Sequence, residues 1–368
     1  MTNEVAMNPR QLLVLVVAAA VLGGLACWSM RSGRNAPPAD IGKPVLPGLD
    51  LARVARVDVA KPGADIAVVQ GADGWVVTNL FNYPADVGKL RANLLKLHDL
   101  RVADVSRNAA AVSGDVARVE LRDAGGRVLA DLRLGAPYKR GGGGERDQWR
   151  GPSGRHVAPA GSRQAWVVKE TLDEFDGDAK SWADTQILAV PGADIESVEM
   201  AAPTGSVVAL VRTNGSLQIA GLSTNEEFET SKSYGIESAL SYLNFSGVAD
   251  PALPDVQTGL ATPAVYRVRL KNGDAYAARI GATATNSTDR YARFSAELAA
   301  PGTNATQKAE YEKRKAELDQ KLGRWTYLIP SYTAENMTHT RAGLVKPKAP
   351  ATNEVASVTT TNAPAASP

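Results

Sequence analysis

The feature that most constrains this chain is an internal repeat. Val57-Asp58-Val59 returns as Val198-Glu199-Met200, and Asp73-Gly74 returns as Asn214-Gly215, both 141 residues later. Leu90, Leu94 and Leu97 return as Ile236, Leu240 and Leu243, and Val102-Ala103-Asp104 returns as Val248-Ala249-Asp250, both at an offset of 146. Residues 118–136 resemble residues 267–282, each a hairpin with apolar side chains at alternate positions. Asp147-Gln148-Trp149-Arg150 resembles Arg290-Tyr291-Ala292-Arg293, and residues 165–175 resemble residues 325–337. The order is kept and the offsets drift by a few residues, as loop insertions in a duplicated unit would make them.

Each unit reads strand, strand, helix, strand, strand, strand, short helix. The predicted fold class is α+β: a tandem duplication of a mostly antiparallel sheet unit with one packed helix per unit, preceded by a single N-terminal transmembrane helix. Val119 and Leu121 alternate with Arg118, Glu120 and Arg122, so the strands bury one face and wet the other. Asp-Gly and Asn-Gly both favour tight hairpin turns. Trp75 then reads as a core residue. Tyr83-Pro84-Ala85-Asp86 ends a strand and starts a helix: Pro84 cannot continue a ladder, and Asp86 can cap the helix amides. Val87, Leu90, Leu94 and Leu97 share a helical face and read as core.

Leu12 to Trp28 is a run of 17 residues without a charge. As a helix it would span roughly 25 Å, near the short limit for a bilayer. The expected organisation is a short tail at 1–10, a transmembrane anchor at 11–30, a Pro- and Gly-rich linker at 31–52, a first unit at 53–188, a second at 189–343 with an inserted charged helix at 304–322, and a disordered tail at 344–368. Three fates of the apolar segment compete. One is an uncleaved anchor. Another is a lipoprotein signal ending at Gly24-Leu25-Ala26-Cys27, which lacks the usual leucine three before the cysteine. The third is an ordinary cleaved signal. Arg10 precedes the segment while Arg31, Arg34 and Lys43 follow it, a count that favours a cytoplasmic body. A short tail before a large domain favours the opposite, and an extracytoplasmic body on the inner membrane is the expectation.

Composition excludes several classes. The net charge of +2 marks no general affinity for nucleic acid. One cysteine, Cys27, excludes an internal disulfide and a cysteine-ligated metal. His98, His156 and His339 stand in no ligand-spaced pattern. His98 reads as the end of a helix, His156 as a loop residue, and His339 as following the last element. The run Lys139-Arg140-Gly141-Gly142-Gly143-Gly144-Glu145 lacks the Gly-Lys-Ser/Thr of a phosphate loop and reads as a flexible hairpin loop. No nucleophile–base motif is present, so the expectation is a protein without catalytic, metal or cofactor-binding residues. In the charged helix, Glu310–Arg314 and Glu317–Lys321 are spaced for pairing, over a thin stripe of Tyr311, Leu318 and Leu322.

Gly74-Trp75, Tyr83-Pro84-Ala85-Asp86 and the Leu90, Leu94, Leu95, Leu97 helix together resemble the pattern of the domain of unknown function 4340 family, over roughly residues 10–340. The resemblance implies an N-terminal membrane segment, a repeated extracytoplasmic body, and an accessory role beside ABC-type export systems, including those related to gliding motility. It implies no catalytic residues. Ser216 follows the second turn where Trp75 follows the first, which argues against both units binding one ligand. The expected function is that of a membrane-anchored, non-enzymatic accessory or scaffold protein of an ABC-type transport complex, partnered by the membrane and by a permease or ATPase. The alternative is an envelope polysaccharide- or lipid-binding module, which would need Trp75, Trp149 and Trp166 exposed.

Overall fold

The computed structural model describes residues 40–348, apart from 107, 115, 140–152 and 163. The expected anchor at 11–30, Cys27, Trp149 and most of the glycine run lie outside them. Among the described residues no helix is long and apolar enough to cross a membrane.

The chain divides into two compact units between Ala183 and Asp184, five residues before the expected boundary at 188. The first holds β1 (Arg56–Lys61), β2 (Ala64–Gly71), β3 (Gly74–Val77), β4 (Tyr83–Pro84), α1 (Val87–Asp99), β5 (Asp104–Val105), β6 (Ala117–Arg122), β7 (Val128–Tyr138), β8 (Gly154–Pro159) and β9 (Trp166–Val168). These strands form one antiparallel sheet in the order β4-β3-β2-β1-β6-β7-β8-β9-β5.

The second unit holds β10 (Gln186–Leu188), β11 (Ile195–Ala201), β12 (Val207–Thr213), β13 (Ser216–Ile219), β14 (Glu226–Phe228), α2 (Ser233–Ser238), β15 (Leu243–Asn244), β16 (Gly247–Val248) and α3 (Asp255–Thr258). There follow β17 (Ala264–Leu270), β18 (Ala275–Thr283), β19 (Arg290–Glu297), α4 (Ala305–Leu322), β20 (Tyr327–Ile329), α5 (Ser331–Met337), α6 (Arg341–Leu344) and β21 (Val345–Pro347). Its main sheet runs β13-β12-β11-β17-β18-β19-β20-β16. From β3 and from β13 onward the two orders are the same, strand for strand. The architecture is mostly antiparallel sheet with a few helices.

Register aligns the two sheets residue by residue. Val57 pairs with Val68 and Val68 with Val77; Val198 pairs with Leu210 and Leu210 with Ile219. Two residues before Val77 and Ile219 stand Trp75 and Leu217, so Leu217, not Ser216, occupies the place of Trp75. The turns explain the offset. Asn214 and Gly215 both have positive φ and form the two-residue loop between Thr213 and Ser216. In the first unit the loop is Ala72-Asp73, and Gly74 already pairs with Gly71. Further along, Leu134 pairs with Ala117 and Ile280 with Ala264, which makes Gly135 and Gly281 equivalent. A Cβ on Gly135 would overlap the carbonyl oxygen of Ala111, and one on Gly281 that of Thr258. Arg155, not the expected 147–150 segment, then corresponds to Arg290.

The inner face of the first sheet carries Val57, Val59, Val68, Val119, Leu121, Leu132 and Leu134, all fully buried, and α1 contributes Leu90, Leu94 and Leu97. Each such side chain stabilises the unit by roughly 1.5–3 kcal/mol. Asp86 caps α1 through Oδ1, which accepts from the Lys89 amide at 3.0 Å. Pro84 does pair, with Val76, as an edge position where its missing N–H costs no ladder bond. On the outer face the rows across β1, β6 and β7 alternate in sign. Arg56 faces Arg122, Asp58 faces Glu120, Glu120 faces Asp131, and Arg118 faces Arg133.

Several expectations are corrected. Val87 is 49% exposed, so the core face of α1 begins at Leu90. The repeat of α1 is only six residues long, and Leu240 and Leu243 are buried beyond its end. The linker expectation fails over residues 40–52: Val45, Leu46 and Leu49 are buried, and the Val45 amide donates to Leu100 O at 3.0 Å. The unstructured tail does not begin at 344, because Val345–Pro347 pairs with β14. Residues 349–368 lie outside the described residues. In α4, Arg314 pairs with Asp274 at 2.9 Å and Lys321 with Asp184 at 2.6 Å, rather than with the glutamates one turn before them.

Candidate functional site

A concave site lies in the first unit, where α1, the β2–β3 hairpin and the 3-10 turn Leu51–Arg53 meet. A groove of about 440 Å³ is lined by Leu51, Ala52, Val54, Gln70, Trp75, Val87, Leu90, Arg91, Leu94 and Leu95. Its floor is the buried pair Leu90 and Leu94, and its rim carries the exposed Val87 (49%) and Leu95 (46%). Trp75 is half-buried and forms a wall, which corrects its reading as a core residue. The hairpin presents it there because Gln70 and Trp75 pair across β2 and β3. Arg91 is the one charged lining residue, and among the described residues neither it nor the Gln70 side chain has an ion pair or hydrogen-bond partner.

The second unit fills the corresponding place. Its counterpart of Gln70 is Arg212, and its counterpart of Arg91 is Glu237, one residue after the buried Ile236 as Arg91 follows Leu90. Arg212 pairs with Glu237 at 3.1 Å, with side-chain exposures of 12% and 22%. The same guanidinium donates to Ile195 O at 2.6 Å, Gly215 O at 2.7 Å and Gly192 O at 2.8 Å. Helix, hairpin and 3-10 turn are thus tied together by one guanidinium, a link that no side chain among the described residues makes in the first unit. The apolar lining residues Leu51, Val87 and Leu95 are matched by Gly192, Ser233 and Ser241, and Leu217 is fully buried where Trp75 is half-exposed.

His156 lies in β8, not in a loop, and its Nδ1 is 2.9 Å from Ser106 Oγ. The serine hydroxyl also lies 3.1 Å from Asn108 O, to which it donates, and accepts from the Asn108 amide at 3.2 Å. The hydroxyl is held in a turn by these contacts, and no carboxylate among the described residues bonds to the ring's other nitrogen. Burial holds the His156 pKa below the ordinary histidine value. The contact braces the turn at Ser106 against β8 and lacks a carboxylate, among the described residues, to orient the ring.

A second cavity, of about 460 Å³, places Arg155 and Asp176 beside a mostly apolar lining that includes Ala111, Val116, Ala117 and Leu134. Arg155 is 5% exposed and grips Asp176 with both terminal nitrogens, at 2.7 and 2.8 Å. Its Nε donates to Gly135 O at 2.9 Å, so its donors are committed to the fold. His98 lies 2.8 Å from Asp99, and His339 precedes α6 rather than ending the structured chain. Trp166 is half-buried in β9. Of the three arginines flanking the glycine run, Arg140, Arg146 and Arg150, all lie outside the described residues. Among the described residues no group of three His, Cys, Asp or Glu side chains could hold a metal ion.

The groove was not legible as a site from sequence, because Trp75 and the leucines read as core. The signal that could have found it was the substitution of Arg212 and Glu237 by Gln70 and Arg91 between the repeats. Fold and site together define a sheet-rich α+β protein of two like-ordered sheets, one with an open apolar groove. The chain belongs to the family described as Domain of unknown function (DUF4340), whose model matches residues 75–263, from Trp75 in the groove wall into the second unit. Comparison with curated proteins gave no match, and comparison with solved structures gave none.

Proposed function

We propose that this chain is a non-enzymatic, membrane-anchored accessory protein of an ABC-type transport complex, with its body outside the cytoplasm and held to the inner membrane by residues 11–30. The observation that carries the binding part of this reading is the groove: an apolar, half-open recess in one unit whose counterpart is tied shut in the other. The uncharged run Leu12–Trp28 and the family's implied context support the membrane and transporter part. The repeat is read as a tandem duplication, on the identical strand order. The test is purification of the full chain in mild detergent. A permease of the ABC type should co-purify in defined stoichiometry; recovery of the chain as a lone monomer, under conditions that keep known transporter complexes intact, overturns the transporter assignment.

The groove favours a lipid ligand over an envelope polysaccharide as the alternative. A sugar platform presents exposed rings, and Trp75 and Trp166 are both half-buried.

A further inference from the structure

We infer that the groove of the first unit binds a single-chain anionic amphiphile, its hydrocarbon along Trp75, Leu90 and Leu94 and its anionic head on the Arg91 guanidinium. This rests on the groove being a binding surface and not on the transporter association.

The fold does not require the recess. The second unit builds the same strand order, buries Ile236, Leu240 and Leu243 where the first buries Leu90, Leu94 and Leu97, and ties the equivalent place shut with Arg212 and Glu237. An open recess at a place the scaffold can close is a retained feature. Its rim is also altered in one direction: Val87 and Leu95 stand where the second unit has Ser233 and Ser241. Val87 and Leu95 flank the apolar floor, so a hydrocarbon lying on Leu90 and Leu94 would bury apolar surface that the unit itself leaves in water.

Charge names the other end of the ligand. The second unit satisfies its buried guanidinium with a carboxylate from the helix. In the first unit the helix itself supplies the guanidinium, and the strand offers the neutral Gln70 amide. Arg91 is therefore a cation at the mouth of an apolar recess with no anion supplied by the described residues. A carboxylate or phosphate head, bound by Arg91 and the Gln70 amide, completes the set.

Dimensions favour a hydrocarbon chain over a peptide. Val87 and Leu95 are eight residues apart on α1, about 12 Å. A volume of about 440 Å³ over that length leaves a mean cross-section of roughly 40 Å², half that of a helix ~10 Å across. An extended peptide would need a free strand edge, but the outer edge of β3 is occupied by β4, with Ala85 N donating to Trp75 O at 2.8 Å.

The test uses the full chain in phosphatidylcholine nanodiscs carrying a trace of photoactivatable dodecanoate, or in a parallel arm photoactivatable lysophosphatidylglycerol. After irradiation, adducts are mapped by mass spectrometry. Saturable labelling within residues 75–95 is expected, displaced by unlabelled dodecanoate and not by the same amount of uncharged dodecyl maltoside. Labelling by both probes supports the shared chemistry, and labelling by one alone assigns the head as carboxylate or phosphate. The double variant Gln70→Arg/Arg91→Glu transplants the closing ion pair and should lower labelling at least about tenfold. Arg91→Glu alone, at an exposed position, should do the same and guards against misfolding of the double variant. Labelling spread along the chain without saturation, equal displacement by the uncharged amphiphile, or unchanged labelling of both variants would overturn the proposal. Failure of the transporter assignment leaves this result untouched, because co-purification and labelling are read separately.

Discussion

Arg155 donates its Nε hydrogen to the carbonyl oxygen of Gly135 at 2.9 Å, and Arg290 donates its own to Gly281 at 2.8 Å. The two glycines are equivalent by register, and each is pressed against a backbone carbonyl that a methyl group would strike. Gly135→Ala and Gly281→Ala should each destabilise the protein by about 2–4 kcal/mol, through overpacking against rigid backbone. Urea midpoints of the two variants check this; a loss below about 1 kcal/mol at both would show that the neighbouring turns yield.

The ion pair that closes the second unit should matter where its counterpart does not. Arg212→Ala strands Glu237 and three carbonyl oxygens at a mostly buried place, and should cost about 2–3 kcal/mol. Gln70→Ala removes an exposed side chain without a partner and should change stability by less than about 0.5 kcal/mol. Equal losses in denaturant unfolding would contradict the contrast between a tied and an open unit.

At the start of α1, Asp86→Ala removes the acceptor for the Lys89 amide. A loss of about 1 kcal/mol is expected, as for other helix N-caps, and Asp86→Asn should recover most of it. Thermal unfolding of the three proteins in one buffer separates capping from a mere change of charge.

Acid sensitivity should trace to two histidines. Burial lowers the pKa of His156; burial lowers that of His339 too, and nearby Lys232 adds to it while Glu335 opposes. A lowered value means the folded chain binds fewer protons than the unfolded one. Stability is therefore complete above about pH 6.5, the ordinary histidine value, and falls as pH drops toward the folded pKa values. His156→Gln and His339→Gln should each flatten the stability curve between about pH 6.5 and 5. A wild-type curve that rises as pH falls through that window would refute the assignment.

Much of the architecture was legible in the sequence because it rests on local rules. The alternation of Val119 and Leu121 with charged residues, the Asn214-Gly215 turn and the Asp86 cap each fix their own element. What was not legible depended on tertiary register. Trp75 reads as core by type and stands where the second unit buries Leu217, yet it is half-exposed because the place facing it is left open. Val345–Pro347 looks like tail, because its pairing with β14 involves residues more than a hundred positions away. The groove itself is a property of two places compared, Gln70 and Arg91 against Arg212 and Glu237, and no single stretch displays it.

The charged rows across β1, β6 and β7 have a consequence for folding fidelity. Like charges sit directly opposite one another, so the ion pairs form along diagonals, as between Arg118 and Asp131. Sliding β6 by two residues would keep Val119 and Leu121 on the inner face and would set Arg122 opposite both Asp58 and Asp131, and Glu120 opposite Arg133. Electrostatics and patterning alone would thus tolerate a misregistered sheet. What opposes it is the turn at Asp123, whose Oδ1 accepts from the amides of Gly125 at 3.0 Å and Arg127 at 2.9 Å while its other oxygen holds Arg53 at 2.9 Å. A single exposed-looking aspartate acts as the register lock of the sheet that carries the groove.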